Sequence, residues 1–218
     1  MSKFTPLFLL IAFAVLVPSP FVIANAPPEA SMGVISYIFY YHVPIAITFM
    51  LSSFVCGVAG ITYLVKRSRT ADSVSLAAGE LCILFGVLVI ATGSIWARKT
   101  WGVWWVWEAR LTITLVMLML FIAYRLLRRF GGPGSEVLAA AVSVFGMVLV
   151  PFLYWSVNLW RTMHPTTEVL PTLPPEMLWP IRVNMLGFFA LYAVLVLVRA
   201  RLERTTAALE DAYVALEE

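Results

Sequence analysis

Six long apolar runs, near 6–25, 37–65, 76–97, 111–127, 136–159 and 179–199, leave this chain few folds to choose from. A helix needs about 20 mainly apolar residues to cross the hydrocarbon core of a bilayer. The strands of a membrane barrel would alternate apolar and polar residues, and these runs do not. The chain is 61% hydrophobic and 12% charged, whereas about a quarter of a soluble domain is charged. The fold class expected is therefore all-α: a polytopic membrane protein with about six transmembrane helices.

The charges lie at segment ends and orient the chain. Lys66, Arg67 and Arg69 join segments 2 and 3. Arg125, Arg128 and Arg129 precede the Gly131–Gly134 turn between segments 4 and 5, and Arg199, Arg201 and Arg204 follow segment 6. With Lys3 these are ten of the fifteen Lys and Arg residues. Such residues accumulate on the cytoplasmic side, so 27–36, 98–110 and 160–178 are expected outside. Segment 1 has two readings, a cleaved signal peptide ending at Ala24-Asn25-Ala26 or a retained helix kinked at Pro18 and Pro20. Both put residue 27 outside. The formal charge of +3 does not point to nucleic acid. Cys56 and Cys82 lie in apolar segments without a C-x-x-C, and read as small buried residues. The tail 200–218 is polar, with Leu202, Leu209 and Leu216 seven apart. A solvated helix and a short helix on a partner both fit it.

The expected outer face carries an unusual run, Trp101-Gly102-Val103-Trp104-Trp105-Val106-Trp107-Glu108, bounded by Arg98, Lys99 and Arg110. Indoles anchor helices at membrane interfaces. That accounts for one or two, such as Trp96 or Trp179, but poorly for four in seven positions among charges. If the run is helical, Trp101, Trp104, Trp105 and Glu108 share one face, and Gly102 allows close approach. Such a face is a platform for a flat apolar molecule with anionic edges.

The only two histidines fall on the same expected face. His42 stands in Tyr40-Tyr41-His42-Val43-Pro44, at the outer start of segment 2. His164 stands in Trp160-Arg161-Thr162-Met163-His164-Pro165, past the outer end of segment 5. Taken singly, each also fits an ordinary interfacial side chain. Flanking one Trp-rich loop, the pair points to the axial ligands of a haem iron. Arg98, Lys99, Arg110 and Arg161 are candidates for the haem propionates, because guanidinium suits carboxylates; for Arg98 and Lys99, snorkelling at a helix end fits as well. Glu108 is expected to accept from indole N–H groups or to pair with Arg110. Met163 is a conceivable alternative iron ligand, with packing the simpler reading. Arg182 calls for a partner, with Glu168 and Glu176 as candidates.

Trp101-Gly102-x-x-Trp105-x-Trp107-Glu108-x-Arg110-Leu111-Thr112 resembles the tryptophan-rich motif of the haem-handling superfamily of cytochrome c biogenesis. With the two histidine motifs, and with the chain's length and six segments, it is similar to the haem exporter protein C branch (CcmC). The family motif usually ends in Asp, where this chain has Glu108. The resemblance implies a haem carrier rather than an enzyme, in a bacterial inner membrane, with the Trp-rich interfacial segment on the periplasmic side and the C-terminus cytoplasmic. It implies that segment 1 is retained, making 1–199 a single haem-handling domain and 200–218 a tail. His42 and His164 would ligate iron, and Trp101, Trp105, Trp107, Glu108 and Arg110 would form the platform for haem b, with Trp104 added to it by the one-face reading above. The implied partners are the haem chaperone CcmE, the ATP-binding-cassette subunits CcmA and CcmB, the small subunit CcmD and the lipid bilayer. Two other classes remain open at this point: a haem–apocytochrome ligase of the same superfamily, and a permease or structural subunit whose aromatics only anchor it.

Overall fold

The structure is a computed structural model that describes residues 4–217. Its helices are α1 (Thr5–Leu16), α2 (Ser19–Ala24), α3 (Phe39–Lys66), α4 (Arg69–Thr100), α5 (Ala109–Phe130), α6 (Ser135–Leu159), α7 (Val169–Thr172) and α8 (Pro175–Glu217), with a 3₁₀ turn over Val34–Ile38 leading into α3. No strand occurs among the described residues. Six stretches are long and apolar enough to cross a membrane: Thr5–Ala24, Val34–Lys66, Arg69–Thr100, Ala109–Phe130, Ser135–Leu159 and Pro175–Leu216. The expected all-α architecture with six spans is what the chain adopts.

The element ends follow local chemistry. Pro18 and Pro20 cannot continue a helical ladder, and the chain breaks there into α1 and α2. Between α3 and α4, Arg67 takes a left-handed conformation (φ 52°) and the Ser68 hydroxyl caps the Ala71 N–H at 3.3 Å. The turn between α5 and α6 needs glycine at Gly132 and Gly134, where φ is 70° and 85°. The tail continues α8 without a break to Glu217 and is mostly exposed from Arg201 to Leu216, with Asp211 paired to Arg69 at 2.6 Å.

Helices in lipid gain little from hiding apolar surface, so close contact rests on small residues. A Cβ added at Gly60 of α3 would stand 2.1 Å from Ser143 Oγ of α6, and one at Gly57 would stand 2.4 Å from Met147 Cβ. Gly79 of α4 makes room for the Tyr124 ring of α5, and Gly187 of α8 for Val15 and Leu16 of α1. Around these contacts lie Phe49, Phe85, Met117, Phe121 and Tyr124. Cys56 and Cys82 are buried and unbridged, as expected.

One charged group inside an apolar run escaped the sequence reading. Glu80 of α4 accepts from Arg125 of α5 at 2.7 Å and from Arg199 of α8 at 2.5 Å, and Arg199 also reaches Glu203 at 2.9 Å. Asp72 forms a two-pronged pair with Arg128, both contacts at 2.7 Å. Two arginines that served only as loop charges thus clamp three helices. Arg182 shows the converse: it is exposed, and among the described residues it forms no ion pair with Glu168 or Glu176.

Glu80→Ala would strand two partly buried guanidinium groups, so it should cost about 1–3 kcal/mol, between the values typical of exposed and buried pairs. Thermal unfolding in mild detergent should show a lowered midpoint, with Arg201→Ala close to the parent.

Candidate functional site

A cavity of about 440 Å³ opens at the end of the bundle where α4 ends and α5 begins. Its wall comes from α3, α4, α5, α6 and α8 and from the loops around residues 29–32 and 164–173. His42, His164, Trp101, Trp104, Trp105 and Arg110 all line it. Arg98, Lys99, Arg161, Trp107 and Glu108 do not. Trp107 is 75% exposed, stacked edge-on against Trp105 with centroids 5.6 Å apart.

The histidines are matched in a way only geometry reveals. His42 lies in the first turn of α3, and its Nδ1 is 2.8 Å from Thr92 Oγ1. The Thr92 hydroxyl has one proton, which it donates to Leu88 O, one turn back in α4, at 2.7 Å. With its proton on Leu88 O, the Thr92 oxygen accepts, and the hydrogen is assigned to His42 Nδ1 on that arrangement. His164 Nδ1 is 2.8 Å from the carbonyl oxygen of Pro165, which can only accept. Both imidazoles thus hold their hydrogen on Nδ1 and keep the Nε2 lone pair free. Burial, with the Arg110 charge nearby, lowers the His164 pKa to about 3. That imidazole is neutral at neutral pH, the state a metal ligand requires.

Residues 101–108 are not helical, contrary to the one-face arrangement considered for them. α4 ends at Thr100, and Gly102 follows with φ 77°. A Cβ at Gly102 would meet nothing within 4 Å, so the glycine serves the turn and not a close approach. From there the chain bends through residues 102–104 and runs irregularly to Glu108, whose N–H donates to Val106 O at 3.0 Å, and the indoles gather by a different route. Trp96 lies one turn before the end of α4, 7% exposed, as an inner wall and not as an interfacial anchor. It packs edge-on with Trp101 at 4.9 Å, Phe39 at 5.4 Å and His164 at 6.3 Å.

Among the described residues Glu108 accepts from no indole N–H, and its charge acts on Arg110 through space without a contact within 4 Å. Its Oε2 accepts from the backbone N–H of Met163 at 2.8 Å, while Oε1 is buried and unpaired. It ties the Trp-rich segment to the loop that carries His164. Arg98 donates to the carbonyl of Gly102, closing the turn. Arg110, in the first turn of α5, has no ion-pair partner among the described residues. A cation at a helix N-terminus, on the wall of an apolar cavity, favours a carboxylate ligand.

Among the described residues no group of three or more His, Cys, Asp or Glu side chains converges. The described residues therefore build no cage for a bare metal ion. Two free imidazoles instead suit an iron whose other four positions a macrocycle fills. Sequence reasoning missed Thr92, which looks like any hydroxyl back-bonding within a helix, and undervalued Trp96. The i, i+4 spacing of the two in α4 was the signal available.

The model of the family described as Heme exporter protein C matches residues 1–214. Heme exporter protein C of Escherichia coli (strain K12) is 34% identical over 183 residues, covering 81% of this chain and 73% of that protein. Its counterpart in Haemophilus influenzae is 31% identical over 213 residues, covering 93% and 85%. A putative cytochrome c biosynthesis ccmC-like mitochondrial protein of Marchantia polymorpha is 26% identical over 179 residues, covering 81% and 77%.

Glu108→Ala should release the 160–165 loop without unfolding the bundle. Hydrogen exchange at the Met163 amide should speed up about tenfold or more, the worth of one charge-assisted bond, while amides within α3 exchange as before.

Proposed function

The chain belongs to the haem exporter protein C family of cytochrome c biogenesis, and on that premise we propose that it holds haem b between His42 and His164 and passes it to the haem chaperone CcmE. The observation that carries this reading is the shared state of the two imidazoles. Both face one Trp-walled cavity, and both have Nδ1 tied to an acceptor and Nε2 free. A hydrogen bond at the far nitrogen fixes the tautomer and the ring direction and raises the basicity of the ligating nitrogen.

Haem is the cargo here, and the surroundings suit its other parts. Trp96, Trp101, Trp104 and Trp105 present aromatic surface to the macrocycle. Burial contributes roughly 25 cal/mol per Å², so each 100 Å² of covered ring is worth about 2.5 kcal/mol. Arg110 is the cavity cation and takes one propionate. Arg98 and Arg161, exposed at the same end of the bundle, are the candidates for the other. Trp107 stands at the rim and Glu108 supports the site from behind.

The positive-inside rule supports a cavity on the periplasmic face of a bacterial inner membrane. Lys66, Arg67, Arg69, Arg128, Arg129, Arg201 and Arg204 all fall at the opposite end, which makes the exposed tail after residue 199 cytoplasmic. The chain acts as a carrier: it holds haem by coordination and packing and releases it intact. Work for the release comes from the nucleotide-hydrolysing subunits CcmA and CcmB, with CcmD beside them, by shifting the carrier toward a weaker-binding state.

Protein purified in mild detergent tests the reading. His42→Ala and His164→Ala should each reduce retained haem at least tenfold and abolish delivery to CcmE. Arg110→Ala should weaken binding by about tenfold to a hundredfold, as loss of one charge-assisted contact does. Undiminished haem in both histidine variants would contradict the assignment.

A further inference from the structure

We propose that His164 is the exchangeable iron ligand and His42 the retained one, with Glu108 as the latch that keeps His164 in place. This rests on the haem site proposed above. Its ground is the contrast in how the two imidazoles are held. His42 is part of a 28-residue helix, and its ring is seated in a second one. Its Nδ1–H ends on Thr92 of α4, whose hydroxyl is itself fixed on Leu88 O. Gly93 leaves the space the ring occupies, since a Cβ there would stand 3.2 Å from His42 Cε1. Withdrawing His42 means parting two packed membrane helices.

His164 lies in a coil between α6 and α7. Its ring donates to Pro165 O and its backbone N–H to Thr162 Oγ1 at 3.0 Å, so both partners move with it. Beyond the edge contact with Trp96, the adjacent hydrogen bond joining this loop to the Trp-rich segment is the one from Met163 N–H to Glu108 Oε2. The Met163 side chain adds little anchorage, being 53% exposed. Asn158 and Thr167 pair at 2.7 Å, which closes the loop on its own base and leaves its tip dependent on Glu108. Glu108 is thus a positioning residue: it acts on iron through the loop, without touching it.

The exchange is a substitution at iron. The Fe–Nε2 bond of His164 breaks and its electron pair stays on Nε2. An incoming neutral donor of the acceptor protein supplies its own pair to the vacated position. The oxidation state of iron is unchanged, and the proton stays on His164 Nδ1, donated to the Pro165 carbonyl. Because the loop swings away with its own hydrogen bonds intact, the macrocycle is uncovered on the side the acceptor reaches, while His42 and Arg110 keep their hold.

Carbon monoxide is a probe for this step. It binds ferrous haem only after one histidine has left, so its capture rate reports that departure. Haem-loaded Glu108→Ala should capture it at least ten times faster than the parent. Glu108→Gln, which keeps an acceptor oxygen, should stay within about twofold. Thr92→Val should change the rate less than Glu108→Ala does. After photolysis of the adduct, the iron–histidine stretch of the parent should match that of His164→Ala and differ from that of His42→Ala. A match to His42→Ala, or a larger acceleration in Thr92→Val than in Glu108→Ala, would overturn the proposal. A parent whose haem is not six-coordinate before carbon monoxide is added would overturn the haem site itself, a separate failure visible in the starting spectrum.

Discussion

A backbone in lipid has no water to satisfy its N–H and C=O groups, so each crossing segment must close its own ladder. In this chain that constraint decides where chemistry can sit. The six spans are continuous helices or, at Pro18, helices broken where proline removes a donor. Irregular backbone is confined to the bundle ends. At one of them, the unwound segment after Thr100 and the coil around His164 supply what a helix cannot: indoles lining one cavity and a histidine on a short tether. His42 complements them from the first turn of a span, where a helix is rigid but still close to the end.

The same economy appears in the polar contacts. Deep in the bundle, hydroxyls and thiols bond to nearby carbonyls, as Ser52 does to Ala78 O at 2.7 Å and Cys56 to Ser75 O at 3.1 Å. Glu80, a carboxylate inside an apolar run, is paired on both sides, with Arg125 and with Arg199. Near the cavity the pattern changes. Arg110 lacks an ion pair among the described residues, and the indole nitrogens of Trp96 and Trp105 and one oxygen of Glu108 are buried without partners. Unsatisfied polar groups are costly in a folded protein; Ser53 Oγ, Asn184 Oδ1 and Tyr192 Oη are the others among the described residues.

Much of the fold was legible because span length and charge placement are coarse signals. The six runs match the observed helices, with differences of several residues at their ends. The Trp-rich run was legible as a site but not in shape. Helical periodicity put Trp101, Trp104, Trp105 and Glu108 on one face, whereas the helix ends at Thr100, Gly102 turns the chain at φ 77° and the indoles meet through an irregular segment. A single glycine between tryptophans does not announce its dihedral. Trp96 looked like an anchor because burial depends on what the distant loops cover. Glu80 passed unnoticed because its partners lie 45 and 119 residues away. The tautomers of the histidines depend on contacts with Thr92 and Pro165 that no spacing rule encodes.

The central claim is that the free Nε2 atoms of His42 and His164 ligate one iron from opposite sides. Electron paramagnetic resonance of the ferric haem-loaded protein tests it most directly, because two imidazoles hold ferric haem in the low-spin state. The parent should give a low-spin bis-imidazole signal, and His42→Ala and His164→Ala should each convert it to high spin. A high-spin parent, or a low-spin signal that survives in either variant, would contradict the account.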